Sequence, residues 1–552
     1  MSSPRIPTRP IGAVSLFAIV STLVVAGAAG PASAASGPSP ASGPTSGGTL
    51  VTVDVSMDPV VSLSAGSGHV LALDDSGSLL AWGFNGAGAL GDGTMTSSPV
   101  PLHVDAPPFV TVSAGSNHSA AVAVDGTAWT WGSNGSGELG TGTNDASLVP
   151  VQVTPLPGGR SFVDIQAGSS HTMAVASDGT LWGWGSNSAG ELGNGTDVNS
   201  SVPVQVTALA DRRITQVVTR LFYTMALASD GTAWAWGYNT ASTLGNASIS
   251  ESTIPVQVTP PADGGYARIV GGESHVVAIA TDGTAWTWGS NFYGQLGLGD
   301  IDPRQSPTPL PSPPGGERYV DVAVGTGHTL ALASDGTLWA WGLNVSGQLG
   351  AGSTTYSTSP LRIPLEARWI AAGDQYSLAL TTTGELWSWG RNWGGQLGDG
   401  TDTSREAPGP VLTGLTATEV TFGGVAAGAP VASGLGLYDV LTPAHAAGAV
   451  DVVVSTAYEN GAAGPSFRYP GSFTFLDTNP VTPSAPPGPG AVDPPAPASP
   501  AETGPASAPG SGALASTGTD IAPYLVAAAL ALVLGGTMCG VAVLRHRRRR
   551  EG

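Results

Sequence analysis

The chain has no lysine; all 19 of its basic residues are arginines. Charge as a whole is scarce, at 11% of residues, and acidic side chains prevail to leave a net charge of −20. So acidic a chain disfavours nucleic-acid phosphates as partners. Cysteine is nearly absent. The only one, Cys539, lies in a C-terminal apolar stretch, so neither a disulfide framework nor thiol chemistry is expected in the body of the protein. The sequence also lacks G-x-S-x-G, H-E-x-x-H and a phosphate-binding glycine loop. This removes the hydrolases, metalloproteases and nucleotide enzymes that announce themselves by motif. It does not touch chemistry by paired carboxylates, which different repeats can contribute. What is plentiful is glycine (80) and proline (45), as expected for many short strands joined by tight turns.

The two ends read as addresses. Arg5 and Arg9 precede an apolar run, and Ala32-Ser33-Ala34 precedes Ala35. This order predicts a signal peptide over 1–34, cleaved between Ala34 and Ala35. At the other end, an uncharged stretch over 521–544 is long enough to span a bilayer, and an arginine-rich tail follows it. Just before it stands Leu514-Ala515-Ser516-Thr517-Gly518. Pentapeptide, apolar span and basic tail in this order resemble a sortase sorting signal, in its Leu-Ala-x-Thr-Gly variant. The resemblance implies attack by a sortase at the Thr517 carbonyl, loss of Gly518, and covalent attachment to peptidoglycan through Thr517. The expected location is therefore the cell wall or cell surface, reached through a single-pass membrane precursor with a cytoplasmic tail.

The middle of the chain is a repeat. The pattern W-G-x-N-x4-L-G occurs seven times, with its first glycine at Gly83, Gly132, Gly185, Gly237, Gly289, Gly342 and Gly390. The third unit shows its grammar. FVDIQAG alternates as a strand does, HTMAVAS is a second strand, and Asp178-Gly179 is a hairpin turn. TLWGWG is a third strand with Trp182 and Trp184 on one face, and VPVQV is a fourth. One such sheet cannot bury its aromatic face alone, whereas a closed ring of them can.

These units resemble the regulator of chromosome condensation repeat family; GGESHVVAIATDGTAWTWGSNFYGQLG, residues 271–297, is a full copy. The resemblance covers 56–412 and implies an all-β, seven-bladed propeller. A well-known member of that family exchanges guanine nucleotides on a nuclear GTPase. An exported, acidic chain is not expected to meet one, so neither a GTPase nor nucleic acid is expected as partner. Residues 413–477 differ in composition, and with the stretch 43–55 they resemble an IPT/TIG immunoglobulin-like domain. The expected arrangement is a propeller inserted in that β-sandwich. Residues 478–513, rich in proline, alanine and glycine, read as a spacer across the wall.

His69, His118, His171, His275 and His328 recur at one blade position. One histidine per blade suits a blade-positioning hydrogen bond better than a metal cluster, so no metal, cofactor or catalytic residue is expected. The breaks in the repeat stand out instead. The fourth unit has Thr219-Arg220-Leu221-Phe222-Tyr223 where others have Ala-Gly-x-x-His, and the seventh has Tyr376 at the histidine position and Trp393 in its loop. Arg220, Phe222, Tyr223, Tyr376 and Trp393 are therefore the candidate ligand face. The expected function is a non-enzymatic surface-display protein, its propeller a platform for an extracellular protein, peptide or glycan. The alternatives are an extracellular hydrolase of wall or environmental polymers, which predicts carboxylates gathered at one mouth of the ring, and a structural wall component without specific ligand.

Overall fold

A computed structural model describes residues 39–54, 59–248, 250–261, 264–412, 415–432, 437–458 and 463–476. The signal peptide, spacer, sorting motif and apolar span named above lie outside the described residues. Within those, there is no α-helix, and no helix is long and apolar enough to cross a membrane.

Each W-G unit folds into one four-stranded antiparallel sheet. In the first, Val60–Ala65, His69–Asp74, Leu79–Gly83 and Ser98–Val104 pair in chain order, so the first strand is innermost and the fourth outermost. The plan repeats through blade 5. Blades 6 and 7 share one long strand, Ser357–Ala372, whose first half closes blade 6 and whose second half opens blade 7. The result is a ring of seven blades.

Local chemistry explains the repeat. The second glycine-bearing position, W-G, sits at the end of the third strand. Gly289 has φ +104°, and a Cβ there would lie 2.5 Å from the Ser274 carbonyl, so only glycine lets neighbouring strands meet. The asparagine two residues on organises the loop from within. Asn344 takes the Leu349 amide proton at 2.9 Å and donates to the Ser353 and Thr355 carbonyls at 2.8 and 2.9 Å, fully buried. A loop of this kind could not be buried without such a partner for its backbone.

The core lies between blades. All seven W-G tryptophans, Trp82 to Trp389, are fully buried. Each cluster draws on two neighbours; one joins Leu71 and Leu79 of blade 1 to Phe109, Val112 and Trp131 of blade 2. The ring closes without exchanging a strand. Blades 7 and 1 meet through side chains, with Trp82 Nε1 donating to the Gln396 carbonyl at 3.1 Å and an apolar cluster that spans Val60, Leu63, Tyr376 and Leu378.

Both chain ends of the ring run into a second body. Leu50–Asp54 pairs antiparallel with Leu437–Leu441. Ser42–Pro44 runs parallel to the end of Ala463–Leu476, which pairs with Gly448–Tyr458, and that strand with Leu415–Phe422. The two sheets share one core of Val51, Val53, Val420, Phe422, Val440, Val452, Val454, Phe473 and Phe475. Val100, from the outer strand of blade 1, enters the same core.

Candidate functional site

Where one blade meets the next, the histidines join a relay. His171 Nε2 lies 3.0 Å from Thr224 Oγ1 of the following blade, and Thr224 donates its own proton to the Glu191 carbonyl at 2.8 Å. The hydroxyl has one proton, so it accepts from the imidazole, which fixes the proton on Nε2. Trp236 Nε1 donates to that same carbonyl at 2.7 Å. The geometry recurs at His69–Ser119, His118–Thr172, His275–Thr329 and His328–Ser377, all between 2.9 and 3.0 Å. Burial holds His118 at about 4 and the other four at about 3, so all five are neutral.

Tyrosine replaces histidine twice and reaches further. Tyr223 donates to the Gly272 carbonyl of blade 5 at 2.6 Å. The Tyr376 hydroxyl lies 2.9 and 2.8 Å from the Gly66 and His69 carbonyls of blade 1. Where tyrosine brings its own hydroxyl, the next blade has dropped its own: Val276 and Val70 stand where Ser or Thr stands elsewhere. Tyr223 is 2% exposed and Tyr376 fully buried. These two are blade fasteners, and the expectation that they face a ligand is corrected.

The other three of the five expected residues do gather at one end of the ring. Three residues before each histidine stands a glycine, and these form an iris. At Gly325, a Cβ would collide with the His328 ring and the Gly373 carbonyl, which explains the G-x-x-H spacing. Arg220 takes that place in blade 4. Its side chain donates to the Gly271 carbonyl and, at 3.0 Å, to that of Thr219. A cavity of about 50 Å³ opens there, lined among others by Arg220, Glu273, Thr326, Asp374 and Ser67. Thr326 donates to Asp374 at 3.0 Å. Burial, then the Asp374 charge, pushes Glu273 up to about 7, against the pull of Arg220; burial likewise raises Asp374.

Around this mouth, aromatic rings stand in solvent. The residue after each W-G bonds back to the iris loop, as Tyr238 N does to the Phe222 carbonyl and Phe84 N to Gly68, both at 2.8 Å. That places Phe84, Phe222, Tyr238 and the Trp393 loop on the iris end. Phe222 and Tyr238 meet edge to face. Trp393 is 75% exposed, with the Arg391 guanidinium 4.4 Å over its ring. Phe292 and Tyr293 extend the set from blade 5. Sequence reasoning missed Glu273 and Asp374. The residue after the iris position reads Ser67, Ser116, Ser169, Leu221, Glu273, Thr326 and Asp374 across the units, and that column carried the signal.

The central channel runs from the iris towards the hairpin turns as a cavity of about 600 Å³. The third position of each inner strand shares one register and holds Ser62, Thr111, Asp164, Gln216, Arg268, Asp321 and Trp369 in blades 1 to 7. Arg268 and Asp321 form an ion pair at 2.8 Å. Among the described residues no group of three or more His, Cys, Asp or Glu is placed to hold a metal.

A family model described as "RCC1-like domain" matches residues 33–370, and one for the regulator of chromosome condensation repeat matches 370–396. The ultraviolet-B receptor UVR8 of Arabidopsis thaliana is 32% identical over 214 residues, 38% of this chain and 48% of the receptor. The human E3 ubiquitin-protein ligase HERC2 is 34% identical over 199 residues, 36% of this chain and 4% of the ligase. The chain thus spans less than half the length of these relatives. Two solved structures share the fold: human WBSCR16 (TM-score 0.56, 21% identity, 67% of this chain and 99% of that one) and Prp20p of Saccharomyces cerevisiae (0.55, 20%, 70% and 92%).

The Prp20p structure is described with binding to Gsp1p, a GTPase, and to histones. The expectation that no GTPase is a partner is therefore corrected. It rested on acidity and export, and net negative charge argues against phosphate polymers but says nothing against a protein surface. Seven W-G units closed into a ring, and a match over more than half of its length, make this chain a member of the RCC1-like domain family.

Proposed function

We propose that this protein is an exported, wall-anchored display protein whose propeller binds a partner on its iris end. The observation that carries the reading is the set of exposed aromatic side chains around the Arg220, Glu273 and Asp374 mouth. Exposed aromatics around a charged centre are what a recognition surface needs: large contact area with a polar anchor. The signal peptide at 1–34, the spacer at 478–513 and the sorting signal with its span 521–544 supply export and anchoring in this reading. Residues 43–55 and 413–477 form its IPT/TIG-like neck, a reading supported by the pairing of Leu50–Asp54 with Leu437–Leu441.

The test immobilises the full chain and passes wall fragments, culture proteins and a glycan panel over it. A GTPase and a basic protein belong in the screen, since Prp20p binds Gsp1p and histones. A saturable partner lost in Phe222→Ala and Trp393→Ala supports the face; a partner indifferent to both refutes it. Anchoring has its own test. Thr517→Ala should leave the protein in the membrane fraction, and equal partition of mutant and wild type would sink the sorting reading.

One observation favours a second reading, an extracellular hydrolase. Glu273 and Asp374 share one mouth, and a carboxyl held near 7 can act as a general acid. Release of a cleaved wall or environmental polymer, abolished by Glu273→Gln, would establish it; its absence across the panel would remove it.

A further inference from the structure

We propose that the central channel is a binding site for a small organic amine, with the Asp164 carboxylate as its counter-ion and the apolar wall of blades 7, 1 and 2 holding its hydrocarbon part. This site lies inside the ring and shares Arg220 with the iris, but the proposal does not depend on a partner binding at the iris face.

Four observations carry the proposal. The cavity, about 600 Å³, lies in the range of small-molecule pockets. It narrows at the iris, where glycine backbones pack against one another and Arg220 fills the seventh place. It is two-sided: Gln166, Gln216, Arg220 and Arg268 line it from blades 3 to 5, with Arg220 bonded to the Gly271 and Thr219 carbonyls and Arg268 to Asp321, whereas Leu63, Val112 and Trp369 line it from blades 1, 2 and 7. Finally, Asp164 stands in it, and among the described residues no cation pairs with it. One oxygen takes the Ile165 amide proton at 2.9 Å and a long bond from Gln166 at 3.5 Å. Burial raises its pKa to about 6, and only those hydrogen bonds oppose the rise.

The same ring contains its own control. Asp321 occupies the equivalent position in blade 6, and Arg268 of the preceding blade neutralises it at 2.8 Å. The residue preceding Asp164 in that ring is Thr111, which has no charge to give. A buried carboxylate without a partner is unfavourable, and its neighbour in the fold shows how the partner is supplied when none comes from outside. The turn-side end of the channel is lined by Asp75, and exposed aspartates (Asp125, Asp282 and Asp335 among them) occupy the same turns of other blades, a field that draws in cations. An ammonium group pairs with Asp164, and three to six carbons lie against Trp369 and the valines.

The probe is pentan-1-amine, with pentan-1-ol and pentanoate as neutral and anionic counterparts, titrated against the full chain at pH 8 by calorimetry and ligand-observed NMR. The amine should bind saturably, and the alcohol and the acid at least tenfold more weakly. Asp164→Asn should weaken the amine at least tenfold. Thr111→Arg rebuilds the Arg268–Asp321 arrangement beside Asp164; it should abolish amine binding and raise the melting temperature. Asp197→Asn, in an exposed loop outside those turns, should change nothing. Equal binding of alcohol and amine, or amine binding that survives both Asp164→Asn and Thr111→Arg, overturns the proposal. Should either variant misfold, the other decides.

Discussion

Five blade junctions are fastened by histidine and two by tyrosine, and the comparison shows what the repeat conserves. The histidine junction needs three groups, an imidazole, a hydroxyl on the next blade and a loop carbonyl. The tyrosine junction needs two, because the phenol reaches a carbonyl directly. What is kept is a buried hydroxyl donating across the gap to a loop carbonyl; at the histidine junctions that carbonyl also takes the tryptophan's proton, as Glu191 does from Trp236. The residue that supplies it is negotiable, provided its neighbour changes in step, as Val276 and Val70 have done.

The largest expected effect uses pH to break the histidine junctions alone. Each imidazole is held at about 3 or 4 when folded and titrates near 6.5 when unfolded, so the unfolded chain binds more protons below 6.5. Stability is therefore full above that pH and lost as pH falls towards 4. Asp164 and Glu273 work the other way. Their folded values, about 6 and about 7, lie above the unfolded ones, so their contribution is present at low pH and lost as pH rises through those values. Burial raises Asp321 and Asp374 too, so four carboxylates oppose the five histidines. The urea midpoint should stay nearly level from pH 7 to 6 and then drop steeply to pH 4; a midpoint that rises across this range would contradict the neutral relay.

Next in size is His171→Ala, which empties a buried site and strands Thr224. It should destabilise by about 2–4 kcal/mol in urea denaturation. Tyr376→Phe should follow at about 1–2 kcal/mol and Tyr223→Phe at about 1 kcal/mol: the first takes the side-chain donor from the Gly66 carbonyl and the hydroxyl's contact from the His69 carbonyl, which keeps its bond from the Gly66 amide, and the second takes the donor from the Gly272 carbonyl. An equal effect of the two phenylalanine variants would mean that the seam is no weaker than any other junction. The smallest effect is the most specific. Tyr223→His and Val276→Thr together should convert the fourth junction to the histidine kind. Their coupling in a double-mutant cycle should be about 1 kcal/mol in the favourable direction, and additivity would refute the pairing.

The ring was legible in the sequence because each blade obeys rules that span only a few residues: alternation, an Asp-Gly turn, W-G, and an asparagine that organises its own loop. The histidines were legible as hydrogen-bonding positions for the same reason, since one per repeat already argued against a cluster. The candidate site was read only in part. Arg220, Phe222 and Trp393 break the repeat and do lie on one end, but Tyr223 and Tyr376 break it equally and are buried. A break in a pattern shows that something has changed, whereas its direction depends on what the next blade offers. Reading Val276 against Thr224 would have told the two cases apart. Glu273 and Asp374 come from units five and seven, and Asp164 is notable only for a cation it lacks. Neither fact exists until the chain is closed into a circle.

The clasp at the ring's two ends has a consequence for the order of assembly. Thr52 and Asp439 meet at 2.6 Å across 387 residues of chain. In an unfolded chain, closing so long a loop is paid in entropy before any contact rewards it. Once the seven blades have stacked, the same two strands emerge side by side and the loop is already closed. The two-sheet body is then the last part to form, and its strand pairing at Leu50–Asp54 becomes a report, written by the chain itself, that the circle has been completed.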